Sequence, residues 1–140
     1  MYSVDEKDRV ISIQDIPQSS VGAPLALVRF SLCYASLFGP PNDEAFDGHP
    51  LAQRGLKPYG AFVIEHSSWV RQLEQMNAVH PYHKPARFLA RKHYVLSFHD
   101  STFECVADGY TVELYDSSIS EILPRMLELL ERNATNPVTG

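Results

Sequence analysis

The six histidines of the chain all lie between residues 49 and 99, and this clustering is its first feature with chemical meaning. Imidazole is a common metal ligand and titrates near neutral pH, so clustered histidines can bind a metal or move protons. The closest pair, His80 and His83, flanks Pro81, which argues against one continuous helix that presents both rings. A metal site also needs a third ligand, for which His49, His99 and Glu104 are the candidates and none is favoured by its spacing. We therefore predict ordinary hydrogen-bonded loop histidines, with no metal site and no cofactor.

Two carboxylates, Glu104 and Glu113, are the second chemical candidate. The strand pattern described below places them opposite each other, where like charges destabilise a sheet unless a proton, a cation or a third group intervenes. A carboxylate pair with a raised pKa beside His99 could act as acid and base. The candidate catalytic residues are therefore His99, Glu104 and Glu113. The favoured interpretation is simpler: a solvated face on which a basic residue such as Lys92 neutralises the charge.

A basic segment is the third candidate. Residues 75–99 contain four of the twelve Lys and Arg residues and none of the seventeen Asp and Glu residues. Arg87 and Arg91 are four residues apart and would share a helix face. Such a cluster suits a phosphate, a carboxylate ligand or an acidic protein surface, although pairing with the protein's own acidic residues explains it equally well. The candidate ligand-binding residues are His49, His80, His83, Lys84, Arg87 and Arg91.

Familiar catalytic motifs are missing from the sequence. His99-Asp100-Ser101 contains the residue types of a hydrolase triad, but three consecutive residues at a turn cannot line up as base, orienting acid and nucleophile. A dyad of Cys105 and His99 fails because the strand pattern puts the two on opposite faces. No GxSxG, GxGxxG or P-loop motif occurs, which disfavours a hydrolase elbow and a nucleotide-binding fold.

Length and composition restrict the class of protein. The chain of 140 residues fits a single domain, 1–140, and its formal charge of −5 argues against a nucleic-acid partner. No apolar run is long enough to cross a membrane, and acidic residues occupy the start of the chain where a signal peptide would be basic. The two cysteines each lie in an apolar segment. We expect a cytoplasmic protein.

Hydrophobic patterning predicts strands over 10–16, 24–36 and 59–65, followed by the most informative segment, 92–115. Two-residue turns at Asp100-Ser101 and Asp108-Gly109 would fold that segment into three strands, with Cys105 opposite Leu96 on one side and Val112 on the other. Both turns place the same residues on one face: Tyr94, Leu96, Phe98, Phe103, Cys105, Ala107, Val112 and Leu114. Because a slip by one residue would invert every side chain, this agreement predicts a three-stranded meander.

Helical patterns cover three segments, about 68–79, a short one at 85–91, and about 118–132. Ser67 or Ser68 can cap the first of these helices. Ser118 and Glu121 have the spacing of a capping box at the start of the last helix, whose apolar stripe would cover the meander. We expect residues 133–140 to form a mobile polar tail. The predicted fold class is α+β, an antiparallel sheet with the two main helices packed on one face.

The segment Phe38 to Pro58 is a long connection rich in Pro and Gly. Long connections in small domains are commonly lids, binding loops or disordered segments. As a lid, this one could close over the face that carries Glu104. Alternatively, Leu51 and Leu56 would pin it to the body as a packed loop.

The run His93-Tyr94-Val95-Leu96-Ser97-Phe98-His99-Asp100-Ser101-Thr102-Phe103-Glu104-Cys105, with Asn42-Asp43-Glu44 and Gly48-His49-Pro50-Leu51 upstream, resembles segments of small bacterial proteins of unassigned function. The resemblance spans about half the chain. It implies no activity and assigns no catalytic residue.

The leading functional hypothesis is a non-catalytic binding or accessory module for an acidic partner or a small anionic ligand, as a monomer or a homodimer. The second is a small acid–base or metal-assisted enzyme that works from the sheet face carrying His99, Glu104 and Glu113, together with His80 or His83. The third is a structural subunit of a larger assembly, which a large exposed apolar patch would favour.

Overall fold

The computed structural model describes residues 2–17, 25–116 and 118–135 of the chain. The strands are β1 (Arg9–Ser12), β2 (Leu25–Ser31), β3 (Ala35–Gly39), β4 (Gly60–Glu65), β5 (Lys92–Ser97), β6 (Thr102–Ala107) and β7 (Gly109–Tyr115). The helices are α1 (Ser68–Asn77), α2 (Pro85–Leu89) and α3 (Ile119–Thr135), and short 3-10 turns lie at Phe46–Gly48 and Ala52–Arg54. All strand pairs are antiparallel, so the predicted α+β class is confirmed.

The strands form two sheets. Five of them pair in the order β1-β4-β5-β6-β3, and β2 pairs with β7 in a separate two-stranded sheet. The single strand expected over 24–36 is therefore two strands in two different sheets. Leu32, with a φ of 50°, lies at the break between them, where the left-handed backbone interrupts the extended run.

In the hairpin of β5 and β6, the side chains lie on the predicted faces, but the two strands pair in a different register. Cys105 lies opposite Tyr94 and Phe103 lies opposite Leu96, two residues away from the predicted partners. The reason is the loop, which spans four residues, 98–101, and is closed by a hydrogen bond from the Phe98 N–H to the Ser101 carbonyl. Because the shift is an even number of residues, every side chain stays on the face that the sequence assigned to it.

The predicted three-stranded meander is wrong at its last strand. β7 is present at the expected residues, but it pairs with β2, with Val28 opposite Val112, while β3 takes the place beside β6. Asp108 alone separates β6 from β7, and one residue is too short for a hairpin turn. Its N–H donates to the Ser31 carbonyl, so the chain enters the second sheet at this corner.

The two faces of the large sheet pack against different parts of the chain. One face packs against the β2–β7 sheet through a cluster that includes Ala61, Tyr94, Cys105, Ala107, Val28, Phe30 and Val112. The opposite face is covered in part by the 38–58 connection, through Phe46, Leu51, Leu56, Phe62, Ile64 and Val95. Beside it, Tyr2 and the start of α1 cover Val106 through Trp69 and Val70. The long connection is thus a packed wall over the face that carries Glu104.

The helices lie at the predicted positions, but the residues at which they begin or end differ from the prediction. Ser67 caps α1 by accepting a hydrogen bond from the Val70 N–H, and α1 ends at Asn77. α3 continues to Thr135, so the first three residues of the expected tail are helical, and 136–140 lie outside the described residues. No helix in the described part of the chain is both long and apolar enough to span a bilayer.

α3 does not cover a meander, in contrast to the expectation. It is joined to β7 by an ion pair between Arg125 and Glu113, with 2.9 Å between Nη2 and Oε1. Leu123, Leu127 and Leu130 on its apolar side stay exposed. Its neighbour β7 pairs with β2 in the smaller sheet, so this ion pair ties α3 to that sheet.

Candidate functional site

Glu104 is a carboxylate in the middle of the large sheet, and only 2% of its surface is exposed. Its neighbours Phe103 and Cys105 face the small sheet, so strand alternation turns Glu104 toward α1 and the long connection. Oε1 accepts hydrogen bonds from the Tyr2 hydroxyl and from His93, whose Nε2 lies 2.7 Å away. Oε2 accepts a hydrogen bond from Nε2 of His49 at 2.8 Å. We call Tyr2, His49, His93 and Glu104 the Glu104 centre.

Hydrogen bonds on the outer side of both imidazoles hold them against Glu104. Nδ1 of His49 accepts the Leu51 N–H at 3.0 Å, so the His49 proton is on Nε2, where it is donated to Glu104. Nδ1 of His93 lies 2.7 Å from Oγ of Ser67, which also accepts the Val70 N–H. Both imidazoles therefore have a partner on Nδ1 and present Nε2 to the Glu104 carboxylate.

Hydrogen bonding keeps Glu104 ionised although it is buried. Burial by itself would raise the pKa of Glu104, but the bonds from His49, His93 and Tyr2 outweigh it and lower the pKa to about 2, from an ordinary value of 4.5. The pKa of Tyr2 is raised by burial and by the adjacent carboxylate, so Tyr2 stays a proton donor. Trp69 stacks on Tyr2 with 5.2 Å between ring centroids and shields the centre from that side.

A cavity of about 370 Å³ lies next to the Glu104 centre. Glu104, His49 and Thr102 supply its polar surface, and the segment 37–41 supplies an apolar wall. The Thr102 hydroxyl is engaged with the Pro41 carbonyl at 2.8 Å. The cavity thus combines an apolar lining with a buried negative charge.

A second arrangement gathers most of the predicted ligand-binding residues. His80, His83, Lys84, Arg87 and Arg91 line one groove of about 310 Å³ between the end of α1 and α2. We call these five residues and their pocket the basic groove. His49, the sixth predicted residue, is not in it, because it is held against Glu104.

Arg91 is the unusual member of the basic groove. Its guanidinium carbon lies 4.4 Å from the ring centroid of Tyr34 and 4.5 Å from that of Phe88, so two aromatic faces clamp it. Nε is 3.9 Å from the Asp108 carboxylate. Nη1 is buried and has no hydrogen-bond acceptor among the described residues. A buried donor without an acceptor is costly, which distinguishes Arg91 from the other residues of the basic groove.

Arg91 also borders a larger pocket on its other side. This pocket, of about 760 Å³, is lined by further basic residues, including Lys7, Arg71 and Lys92. Arg71 is already paired with Asp5, with 2.7 Å between Nη1 and Oδ2. Lys7 and Lys92 thus lie in one pocket with Arg91, together with the acidic Glu65.

The structure does not bring the three candidate catalytic residues together. Glu104 is buried in its own centre. Glu113 lies on β7, where Arg125 is the main cause that lowers its pKa to about 2. His99 lies in the β5–β6 loop, where Nδ1 is 2.8 Å from the Asp43 carboxylate and Tyr59 contacts both.

The Asp43–His99 pair predicts a measurable pH effect. The hydrogen bond from Asp43 raises the pKa of His99 above its ordinary value of 6.5, because the carboxylate favours the imidazolium. The contribution of the pair to folding is therefore fully present below pH 6.5 and is lost as pH rises through the folded pKa of His99. We expect the substitution Asp43→Asn to return the His99 pKa toward 6.5 in an NMR titration of the imidazole protons. The neighbouring Asp100→Asn is the control and should lower it less, since Asp100 is 3.6 Å away and almost fully exposed. An unchanged His99 titration in the Asp43→Asn protein would contradict this assignment.

Sequence reasoning missed most of the Glu104 centre. Alternation on β5 and β6 already put His93 and Glu104 on one face, so this part could be read from the pattern. Tyr2 lies 102 positions away from Glu104 and has no local signal. Ser67 was identified only as a helix cap, and its bond to His93 could not be read from spacing.

The described residues contain no group of three or more His, Cys, Asp or Glu side chains that could hold a metal ion. Comparison with models of known protein families, with curated protein sequences and with solved structures finds no match to this chain.

Proposed function

We propose that the protein is a binding module that holds an anionic group, a phosphate or a carboxylate, in the basic groove. The observation that carries this proposal is Arg91. Its guanidinium is held in place by two aromatic rings, and its buried Nη1 has no acceptor among the described residues. A planar guanidinium fixed in this way is preorganised to donate to the oxygens of an anion.

The charges around Arg91 support the same ligand class. Lys84 and Arg87 are exposed and form no ion pair within the described residues, whereas Arg71 and Arg125 pair with Asp5 and Glu113. Pairing with the protein's own acidic residues accounts for contacts of Arg91 with Asp108 and of His83 with Glu74, but not for Lys84 and Arg87. An external anion would provide the missing countercharge.

The rest of the groove suits a partner that is recognised by charge and by ring contacts. His80 and Tyr82 lie at its exposed edge, with 6.0 Å between their ring centroids. Both ring nitrogens of His83 are engaged within the chain, in hydrogen bonds with Asn77 and Glu74. We assign Arg91, Arg87 and Lys84 as the anion-binding residues and give His83 a positioning role. Two free cysteines, Cys33 and Cys105, fit a cytoplasmic setting.

The proposal is tested with charge reversals that leave the Arg91 stack intact. The double variant Lys84→Glu/Arg87→Glu should bind inorganic pyrophosphate and a hexaglutamate peptide at least about tenfold more weakly than the parent protein in isothermal titration calorimetry. Raising the salt from about 20 to 200 mM should weaken binding to the parent, since exposed charges are screened.

The matched control is Arg9→Glu/Lys57→Glu, which makes the same change in net charge at two exposed positions away from the groove. It should bind both probes within about twofold of the parent. Binding that ignores salt and survives the groove substitutions would refute the proposal, as would the failure of both probes to bind the parent protein.

A further inference from the structure

β3 is the last strand on one side of the large sheet, and its partner in that sheet is β6. Of the strands in the described part of the chain, it is the only one that carries no charged side chain. Charged residues on edge strands commonly prevent pairing with another chain. The middle residues Ser36, Leu37 and Phe38 are exposed, and Phe38 is 74% exposed. This edge is therefore open to an added strand.

The hydrogen bonds of β6 show which backbone groups of β3 point outward. The β5–β6 hairpin is closed by a hydrogen bond from the Phe98 N–H, and in an antiparallel pair every second residue pair exchanges hydrogen bonds. Phe103 and Cys105 are therefore bonded to β5. The β6 residues that alternate with them are directed toward β3, and the Val106 carbonyl accepts the Tyr34 N–H at 2.7 Å.

On β3, the residues opposite these alternate positions are Ala35, Leu37 and Gly39. The backbone N–H and C=O groups of Ser36 and Phe38 therefore point away from the sheet. Among the described residues, neither has a hydrogen-bond partner on that side. Donors and acceptors in an extended row are the groups by which a sheet edge binds a peptide strand.

This edge begins next to the basic groove. Tyr34, which directly precedes β3, clamps Arg91, and Leu32 in the same turn lines the groove. Pro40 follows β3, which has five residues, so the edge offers a short row of backbone groups. A peptide would be held weakly by these groups alone. A second contact with the cations of the groove would strengthen binding and set the direction of the peptide.

We infer that the anion in the basic groove is carried by an extended acidic segment of a partner protein, which adds to β3 as an antiparallel strand. The inference rests on the proposed function, because the groove supplies the countercharge. The backbone of the segment pairs with Ser36 and Phe38, and its apolar side chains lie beside the exposed Phe38 ring. Since β3 starts at the groove, the carboxyl end of the segment is the end that reaches Lys84 and Arg87.

The test uses a blocked peptide in which Val and Thr alternate and two glutamates follow at the carboxyl end. A saturating amount should slow amide hydrogen exchange at Ser36 and Phe38 at least about tenfold, as followed by NMR. The Leu37 N–H already faces β6 and should change less. This alternation along three neighbouring residues is specific for an added strand, since a ligand held by side chains alone would not produce it.

Matched peptides separate the two parts of the interaction. Replacing both glutamates with glutamine should weaken binding at least about fivefold, because the groove loses its countercharge. Replacing two of the alternating residues with proline should also weaken it at least about fivefold, because proline has no N–H to donate to the edge.

A protein variant tests the edge itself. Ser36→Pro removes one outward N–H at an edge position where proline is tolerated. It should bind the acidic peptide at least about fivefold more weakly and inorganic pyrophosphate within about twofold of the parent protein. Ser12→Pro on β1 is the matched control: the Ile13 N–H donates to the Ala61 carbonyl, so the Ser12 N–H also points outward, at the opposite edge. It should bind both probes as the parent does.

The outcomes distinguish this inference from the proposed function. Pyrophosphate binding without protection of the Ser36 and Phe38 amides by the acidic peptide would overturn the inference and leave the proposed function standing. Equal affinity for the acidic peptide and its proline version would overturn it too. Protection of both amides before peptide is added, with a dimer in sedimentation, would show that a second copy occupies the edge and would also overturn it. Failure of pyrophosphate, hexaglutamate and the acidic peptide to bind would refute both proposals.

Discussion

Replacing Glu104 with glutamine is expected to lower the free energy of unfolding by about 3 kcal/mol, the equivalent of the shift of its pKa from 4.5 to about 2. An amide has one acceptor oxygen, so it cannot serve His49, His93 and Tyr2 together, and a buried N–H or O–H is left without a partner. The measurement is urea denaturation at pH 7, followed by tryptophan fluorescence, since Trp69 stacks directly on the centre.

The same carboxylate predicts how stability depends on pH. The pKa of Glu104 is lower in the folded protein than in the unfolded chain, so its contribution is fully present above about pH 4.5 and is lost as pH falls toward 2. The parent protein should therefore lose stability steeply across this window. The Glu104→Gln protein should start lower and show a shallower slope.

The control for this experiment is Glu44→Gln, an exposed glutamate in the long connection, which should change the unfolding free energy by less than about 0.5 kcal/mol. A Glu104→Gln protein as stable as the Glu44→Gln protein, with the pH slope of the parent, would show that the centre does not hold the fold together.

The second large effect is expected at Leu51, which has no exposed surface. Leu51→Ala should cost about 3 kcal/mol, because it opens a cavity among Phe46, Leu56 and Val95 where the long connection meets the sheet. The loss should reach the Glu104 centre as well, since the Leu51 N–H is the group that orients His49. The measurement is urea denaturation combined with the NMR signals of the His49 ring.

Leu89→Ala is the matched control, because Leu89 ends α2 and is half-exposed. It should cost less than about 1 kcal/mol. Equal losses for the two variants, or a Leu51→Ala protein with an unshifted His49 ring, would mean that the long connection is not a packed wall of the core.

Short-range patterns in the sequence predicted a substantial part of this fold. Alternation placed Tyr94, Leu96, Phe103 and Cys105 on one face, and they do pack together against the small sheet. Ser67 was one of two predicted caps for α1, and it is the cap. These features succeed because strand alternation and helix capping are set by residues a few positions apart.

The basic groove could be predicted only in part. The sequence grouped His80, His83, Lys84, Arg87 and Arg91 by their closeness along the chain, and folding keeps them in one pocket. Arg91, however, is clamped partly by Tyr34, which lies on the stretch between β2 and β3. That its Nη1 is buried without an acceptor among the described residues could not be predicted from the segment itself.

Periodicity and capping residues predicted the class of the fold, the positions of most strands and helices and the face of the sheet on which Glu104 lies. The pairing of β7 with β2, and the contact of Tyr2 and His49 with Glu104, could be found only in three dimensions. This is because periodicity and capping are local, whereas strand partners and buried polar contacts are selected by the packing of the whole chain. A two-residue change in loop length leaves the alternation of a strand intact, but it changes every residue that the strand faces.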